Sequence, residues 1–439
     1  MDNQIERLFD RLDKSTCNFL AVKTIREELE KNGFEEIRQE DKWELKPGGK
    51  YYLVKNGSAI FPIIVGTGSP AEWGVRIIAA HSDSPCFKIK PNPEFYGDGG
   101  ELSLNVEKYG GGILYTWFDR PLSVSGRVVV RTSDMMHPHE IVFDYKKNIC
   151  TIPHLAIHFN RQVNDGNPLS VQNDMKPIAG YFSVSEIKQF INKGGILLNK
   201  IAEFLGVDIN DILDYELNLY PTEKAALVGI NEEYFQSGRI DDLSMAFAGL
   251  EALLSTADKD MPFTRILAIF DNEETGSGTK QGAGSPVLSD MMERMAQCLG
   301  ENHEGFLRMV AQSFLISADD AHAWHPNYNH KYDPTNHAVI GGGPVIKINS
   351  NCKYMTDGFG SAVFKGLCER AGVSYQMFVN HSDVAGGSTL GNILTSQMDI
   401  KGVDIGAPIW AMHSARETAG VKDHLDMIKV FETFWNHEK

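Results

Sequence analysis

Four short apolar runs divide the chain, and polar residues follow each run, directly or within a few positions. Such a run is typical of a strand that is buried on both faces of a sheet. The predicted strands are Val75–Ala80, Arg265–Phe270, Ser313–Ser317 and Val403–Ile409. Between and after these runs, apolar residues recur at helical spacing, and the predicted helices are Asp242–Ser255, Met291–Leu299, Gly358–Ala371 and His424–Asn436. Alternating strands and helices predict an α/β fold in which helices cover a mostly parallel sheet.

Residues 91–221 have a different pattern. The segments Leu114–Phe118, Ser123–Arg131 and Ile141–Tyr145 alternate with turn residues, which favours antiparallel strands. A helical pair is predicted near Val184–Phe204. We therefore expect a β-rich second domain at residues 91–221, inserted into a discontinuous main domain of residues 1–90 and 222–439.

Composition narrows the class of protein. The 439 residues are enough for two domains, and the formal net charge of -16 argues against a nucleic-acid partner. No apolar run approaches the ~20 residues that a membrane-spanning helix needs, and the segment Met1–Leu12 is charged and helical in pattern, unlike a secretion signal. The six cysteines are scattered, which favours reduced thiols over disulfides. These features predict a cytoplasmic protein without a membrane partner.

Residues that can bind a metal follow the predicted strands. In open α/β sheets, ligands collect at the carboxyl ends of strands. The polar residues at those positions, with the acidic pair that opens the first helix, are His81-Ser82-Asp83, Asp241-Asp242, Asp271 to Glu274, Asp319-Asp320 and His413. Two imidazoles and several carboxylates from separate segments are the donor set of a two-zinc hydrolytic site.

Each of these motifs has a simpler interpretation when taken alone. His81 could be a turn histidine. Asp271 and Glu274 have the spacing of a helix capping box, and Asp241 and Asp242 could complement a helix dipole. The metal hypothesis depends on their convergence.

Within a metal site, the residue types have distinct uses. Asp83 can hold the far ring nitrogen of His81 and fix its tautomer. Of the adjacent glutamates, Glu273 and Glu274, one can bind a metal while the other accepts a proton from water.

Several motifs, in this order along the chain, resemble those of the aspartyl aminopeptidase family. They are HSDSPC, YGGGILYTWFDR, IPHLAIH, GRIDD, DNEETGS, SADDAHAWHPNY, GPVIKIN and AMHSARE, and they extend from about residue 75 to 420. The resemblance implies a dinuclear zinc exopeptidase that assembles as a tetrahedral homododecamer, with residues 91–221 as its dimerisation or oligomerisation domain. It also implies roles for individual residues.

By this resemblance, His81 and Asp319 bind one metal, Glu274 and His413 bind the other, and Asp241 bridges them. Glu273 occupies the position of the general base. With Asp83, which would orient His81, it forms the expected catalytic pair. The expected substrate contacts are His158, His322, Lys347 and Tyr354, of which His158 would reach the active site of a neighbouring subunit.

This chain departs from the family pattern at two positions. Asp242 replaces an asparagine that usually follows the bridging aspartate, and Asp320 replaces a methionine. Both changes add negative charge near the metals and could weaken a preference for acidic substrates. His381-Ser382-Asp383 repeats the letters of His81-Ser82-Asp83, but matches no family ligand, so we expect it not to bind the metals.

The sequence therefore predicts a zinc-dependent aminopeptidase with two zinc ions per chain, for which manganese or cobalt could substitute. Its substrates would be peptides with a free amino terminus, with acidic first residues as a candidate preference. Two alternatives stay open: a two-metal deacylase or carboxypeptidase, and a non-catalytic assembly or cargo protein on the same scaffold.

Overall fold

A computed structural model describes residues 3–437, which form twelve α-helices and twenty strands. The helices are α1 (Asn3–Lys14), α2 (Asn18–Lys31), α3 (Pro70–Trp73), α4 (Val171–Asp174), α5 (Val184–Phe190), α6 (Gly195–Leu205), α7 (Ile240–Ser255), α8 (Val287–Cys298), α9 (His303–Gln312), α10 (Gly358–Ala371), α11 (Leu390–Gln397) and α12 (Val421–Asn436). Short 3-10 helices add Leu114–Trp117, Val163–Asp165, Ile209–Asp211, Glu273–Thr275 and Pro326–Lys331. Within residues 3–437, no helix is long and apolar enough to cross a membrane.

The strands are β1 (Glu35–Glu36), β2 (Lys50–Lys55), β3 (Ala59–Ile64), β4 (Val75–His81), β5 (Cys86–Tyr96), β6 (Glu101–Tyr109), β7 (Leu122–Val130), β8 (His139–Asp144), β9 (Ile178–Tyr181), β10 (Ile212–Pro221), β11 (Ala226–Val228), β12 (Tyr234–Ser237), β13 (Thr264–Phe270), β14 (Phe314–Ala318), β15 (Ala321–His322), β16 (Val345–Ile348), β17 (Gln376–Val379), β18 (Lys401–Gly406), β19 (Pro408–Trp410) and β20 (Glu417–Gly420). The chain folds into two compact units. The first contains residues 1–83, 225–412 and 417–439, and the second contains residues 84–224 and 413–416.

A nine-stranded sheet forms the centre of the first unit, in the order β1-β2-β3-β13-β4-β14-β18-β16-β17. The central strands β13, β4, β14 and β18 are parallel. Apolar side chains pack on both faces of the sheet, α7 and α12 with one core and α8 and α9 with the other. This explains why the central strands are continuous apolar runs, and the predicted helix-covered, mostly parallel sheet is confirmed.

A smaller five-stranded sheet belongs to the same unit, in the order β11-β12-β20-β19-β15. The run Val403–Ile409, predicted as one strand, is divided between the two sheets: β18 ends at Gly406, and β19 begins at Pro408 in the smaller one. At Gly406 a Cβ atom would lie 2.0 Å from the carbonyl oxygen of Asp319, so the chain passes that backbone more closely than a side chain permits.

The second unit contains a six-stranded antiparallel sheet in the order β8-β7-β10-β5-β6-β9. Alternate residues of β6 are buried, as expected for a strand with one face on a core. The prediction of a strand at Leu114–Phe118 was wrong: Leu114–Trp117 is a 3-10 turn. Trp117 packs edge-on against Phe87, with ring centroids 5.0 Å apart. This apolar segment therefore anchors one aromatic side chain in the core and does not form a strand. The limits of the inserted domain, residues 91–221, stay a prediction.

Candidate metal centre

His81 is the last residue of β4, and its imidazole is buried. Its Nδ1 lies 3.0 Å from the carbonyl oxygen of Asp83 and 3.4 Å from the Oδ1 of the same residue. Because a carbonyl can only accept, a ring proton lies on Nδ1, which leaves Nε2 as the nitrogen that can bind a metal. This Nε2 is 3.4 Å from Asp241 Oδ1 and 3.9 Å from Asp319 Oδ1. The ring therefore directs a metal-binding nitrogen at two carboxylates.

The start of α7 positions the acidic pair Asp241-Asp242. The backbone angles of both residues are non-helical, and the peptide bond between them is cis. The N–H of Asp241 donates to Glu417 Oε2 over 3.1 Å, and Asp242 Oδ2 accepts the N–H of His81 over 3.0 Å. Specific hydrogen bonds thus hold both aspartates at the start of α7.

Asp83 fixes the segment that carries the two glutamates. Its Oδ1 accepts the backbone N–H of Glu273 over 3.1 Å, and its Oδ2 accepts that of Glu274 over 3.2 Å. The capping-box interpretation is wrong, because the Glu274 N–H donates to Asp83, whereas Asp271 accepts the N–H of Asn272. Two neighbouring segments of the first unit are thereby tied together at the end of the sheet.

The donor chemistry of this cluster fits zinc. His81, Asp241 and Glu274 each offer one ligand atom, and these three atoms lie within 4.8 Å of one another. A second group with the same spacing consists of Asp241, Asp242 and Asp320. Within the described residues, the buried Oδ1 atoms of Asp242 and Asp320 have no hydrogen-bond partner. Buried carboxylates are costly without a compensating partner, and imidazole and carboxylate are ligands that zinc prefers.

The electrostatics of the cluster favour a bound cation. Burial raises the pKa of Glu273 to about 8; His81 lowers it, whereas the charges of Asp319 and Asp241 raise it further. Burial also raises the pKa of Asp320 well above its usual range, reinforced by Asp241. A divalent cation offsets this crowding of negative charge and returns such groups to their anionic forms.

Lys347 and Tyr354 flank the same cluster. Lys347, on β16, is buried with its Nζ 3.4 Å from Asp319 Oδ2 and 5.8 Å from the centre of the Tyr354 ring. Burial lowers the pKa of Lys347, but the charges of Asp319, Tyr354, Asp404 and Asp241 together outweigh burial, and the net shift is upward. The ammonium group therefore stays protonated.

The other expected site residues lie elsewhere. His322 is exposed on β15, with its ring centroid 6.1 Å from that of Phe378. His413 belongs to the second unit, where its Nδ1 is 3.4 Å from the carbonyl oxygen of Gly111. His158 is also in the second unit, in an exposed loop. The structure thus gathers four of the expected ligands within the first unit, namely His81, Asp241, Glu274 and Asp319.

Two supporting residues were absent from the sequence-based set. Glu417 accepts the N–H of Asp241, and buried Asp404 accepts the N–H of Met355 over 2.5 Å and the hydroxyl of Thr389 over 2.6 Å. Asp404 carried a signal, because it is an acidic residue inside an apolar strand. Glu417 lies at the end of the AMHSARE motif, but nothing local identifies its partner.

Comparisons with known proteins identify the family of this chain. A family model described as aminopeptidase I zinc metalloprotease (M18) matches residues 11–435. A probable M18 family aminopeptidase 2 of Clostridium acetobutylicum is 46% identical over 439 residues, covering 99% of this chain and 100% of the relative.

Solved structures show the same similarity. A cryo-EM structure of the Ape4 and Nbr1 complex has a TM-score of 0.93 at 33% identity, covering 98% of this chain and 85% of that one. The mApe1 dodecamer of S. cerevisiae has a TM-score of 0.86 at 26% identity, covering 99% of this chain and 97% of that one. Since the family model spans nearly all of the sequence and the curated relative matches from end to end, this chain belongs to the M18 family of zinc metallopeptidases and is an aminopeptidase.

Proposed function

We propose that this aminopeptidase uses two zinc ions, held by His81, Asp241, Glu274, Asp319 and His413, to hydrolyse the first peptide bond of peptides. The observation that carries the proposal is the convergence of His81, Asp241 and Glu274, with Asp319 3.9 Å from the same imidazole nitrogen. His413 is included because of its sequence motif alone. Zinc in such a site supplies a Lewis acid that activates water and polarises a carbonyl.

Glu273 is the proposed general base. It is adjacent to the ligand Glu274, and Asp83 holds the backbone of both residues. A carboxylate so placed can take a proton from the attacking water and return it to the leaving amine. Tyr354 and His158 are the proposed partners of the oxyanion that develops on the carbonyl. The surrounding carboxylates also suit a free α-ammonium group, which favours exopeptidase action.

Lys347 is the proposed reader of the first side chain and gives a preference for aspartate or glutamate, and His322 is a further proposed substrate contact. Its buried ammonium group is the cation closest to Asp319. Asp242 and Asp320 oppose this preference, because both are buried acids in the same cluster. The expected selectivity is therefore modest.

A panel of dipeptides tests the reaction. Purified protein is supplied with free and N-acetylated versions of each dipeptide, with zinc, manganese, cobalt or a chelator. We expect hydrolysis of the free dipeptides alone, abolished by the chelator. Release of amino acids from the acetylated set would favour a deacylase or carboxypeptidase.

Metal stoichiometry is a separate measurement. We expect two metal ions per chain by elemental analysis of protein reconstituted in zinc and then freed of excess metal. A single tight ion would contradict the two-metal site while leaving the peptidase class intact.

We also propose a homododecamer in which His158 acts in a neighbouring subunit. Support comes from the exposed loop around His158, where Leu155, Ile157 and Phe159 are all exposed, Phe159 by 82%. The mApe1 relative is a dodecamer. Apolar side chains displayed in this way are typical of a surface that is buried on assembly.

Subunit exchange tests the shared site. His158→Ala and Glu273→Gln are each expected to be nearly inactive, but mixed oligomers should recover activity, because some sites then combine an intact Glu273 with an intact His158. The oligomer size, measured by light scattering, should be the same for both variants. If subunits exchange and no activity returns, His158 does not act across an interface.

A further inference from the structure

A cavity of about 290 Å³ lies in the first unit, beside β17 at the edge of the nine-stranded sheet. It is bounded by the segment His322–Tyr332 and by the residues that follow β17. Its lining includes His325, Tyr328, Lys331 and His381, and none of its lining residues is acidic. The volume is near the lower end of the ~300–1,000 Å³ range of ligand pockets.

Two of the histidines have a ring N–H that can donate to a ligand. His325 Nδ1 accepts the backbone N–H of Asn327, and His381 Nδ1 accepts that of Asp383, each over 3.2 Å. In the neutral ring, the proton is then on Nε2. Each imidazole therefore offers an N–H, and Lys331 adds a positive charge.

One acidic group lies close to these donors. Asp383 Oδ2 is 4.0 Å from His381 Nδ1, but the Asp383 side chain is 92% exposed. A solvent-exposed carboxylate is screened and forms only a weak ion pair. The donors of the cavity consequently remain available to an external anion.

The position of the cavity relates it to the proposed metal centre. Asp319 follows β14, and β18 and β16 separate β14 from β17. At ~4.8 Å per strand, β17 is about 14 Å from β14. An extended peptide advances ~3.3–3.6 Å per residue, so we place a group bound beside β17 at a residue beyond the first. Lys347, paired in register with Phe378, lies between the two sites.

We propose that this cavity binds a carboxylate of the peptide substrate that lies downstream of the scissile bond. The carboxylate is either an acidic side chain of the second or third residue or the terminal carboxylate of a short peptide. This inference rests on the proposed peptidase function and extends it to substrate length and charge. Charge-assisted hydrogen bonds from Lys331 and the imidazoles would supply the recognition.

Matched peptides that begin with leucine distinguish the two sources. Leu-Gly-Gly is compared with its amide, and the amides of Leu-Asp-Gly and Leu-Gly-Asp are compared with their asparagine counterparts. We expect at least one downstream carboxylate to lower KM on the order of 10-fold, with little change in kcat. The amides of Asp-Gly-Gly and Asn-Gly-Gly report on the first side chain.

Lys331→Gln removes the positive charge of the cavity, and Lys31→Gln on α2 makes the same change at an exposed position outside it. We expect Lys331→Gln to weaken the preference for the carboxylate peptide several-fold, and Lys31→Gln to retain it. Hydrolysis without any downstream preference, or a preference confined to the first residue, would overturn the proposal.

A binding measurement keeps the two proposals separate. Glutarate should raise the melting temperature of the wild-type protein and of Lys31→Gln more than that of Lys331→Gln. If this difference is present but no peptide is hydrolysed, the proposed function fails and the anion site stands. If peptides are hydrolysed and the three proteins respond equally to glutarate, the anion site is refuted.

Discussion

Replacing Asp83 with asparagine tests whether the metal centre depends on the two backbone contacts of this carboxylate. In the native protein, Oδ1 of Asp83 accepts the N–H of Glu273, and Oδ2 accepts the N–H of Glu274. Asparagine has one acceptor oxygen, so one of these N–H groups would face an amide donor. An unsatisfied buried donor costs ~1–3 kcal/mol, and ~1.4 kcal/mol corresponds to a factor of ten. We therefore expect Asp83→Asn to lower metal affinity ~10–100-fold, the range found for residues that support metal ligands.

Asp383→Asn is the matched control, because Asp383 is the last residue of the second His-Ser-Asp triplet and has an exposed side chain. Zinc affinity is measured by elemental analysis in chelator-buffered zinc, and kcat/KM for a leucyl peptide is measured at saturating metal. We expect a loss of affinity in Asp83→Asn and none in Asp383→Asn. Native zinc affinity in both variants would refute the argument that Asp83 positions the ligand segment.

Three further predictions address the base, specificity and acid stability. Glu273→Gln should lower turnover by roughly 10²-fold or more and keep its metal, because glutamine cannot take a proton. Glu274→Gln should lose metal. Equal metal contents in the two variants would refute our assignment of roles. Lys347→Ala should penalise aspartyl substrates more than leucyl ones, by roughly 1.5–3 kcal/mol in kcat/KM, and a uniform loss would assign Lys347 to the peptide backbone. Burial lowers the pKa of His424 to about 4. The contribution of His424 to folding stability should therefore fall as pH decreases from ~6.5, by about 2 kcal/mol at pH 5, because the unfolded chain takes up the proton first. Urea unfolding should show this loss in the wild-type protein but much less in His424→Leu.

Local periodicity explains how much of the fold could be predicted. The helix predicted at Gly358–Ala371 has those limits in the structure, and the run Val75–Ala80 is extended by one residue, to His81. Both patterns depend on neighbours within a few positions, which the sequence displays directly. The division of Val403–Ile409 into two strands was harder to predict, because the chain passes from one sheet to another there without a change in hydrophobicity.

The residues around the metals show a similar limit. His81 and Asp319 could be predicted from their positions at strand ends, since the carboxyl ends of parallel strands lie at one edge of the sheet. No local rule pairs Asp241 with Glu417, which is 176 residues away, or the backbone of His81 with Asp242, which is 161 residues away. Such contacts are created by tertiary structure alone, and they position the ligands.

The two His-Ser-Asp triplets show why the letters of a motif do not determine its chemistry. In His81, Nδ1 donates to the carbonyl oxygen of Asp83. Nε2 is then the nitrogen that can bind a metal, and it faces the carboxylate of Asp241. In His381, Nδ1 accepts the N–H of Asp383, so the lone pair is occupied and Nε2 carries the proton. The first ring can bind a metal cation, and the second can donate to an anion. The local backbone thus makes one triplet a ligand and the other a donor, which is why identical sequences are assigned opposite roles in this chain.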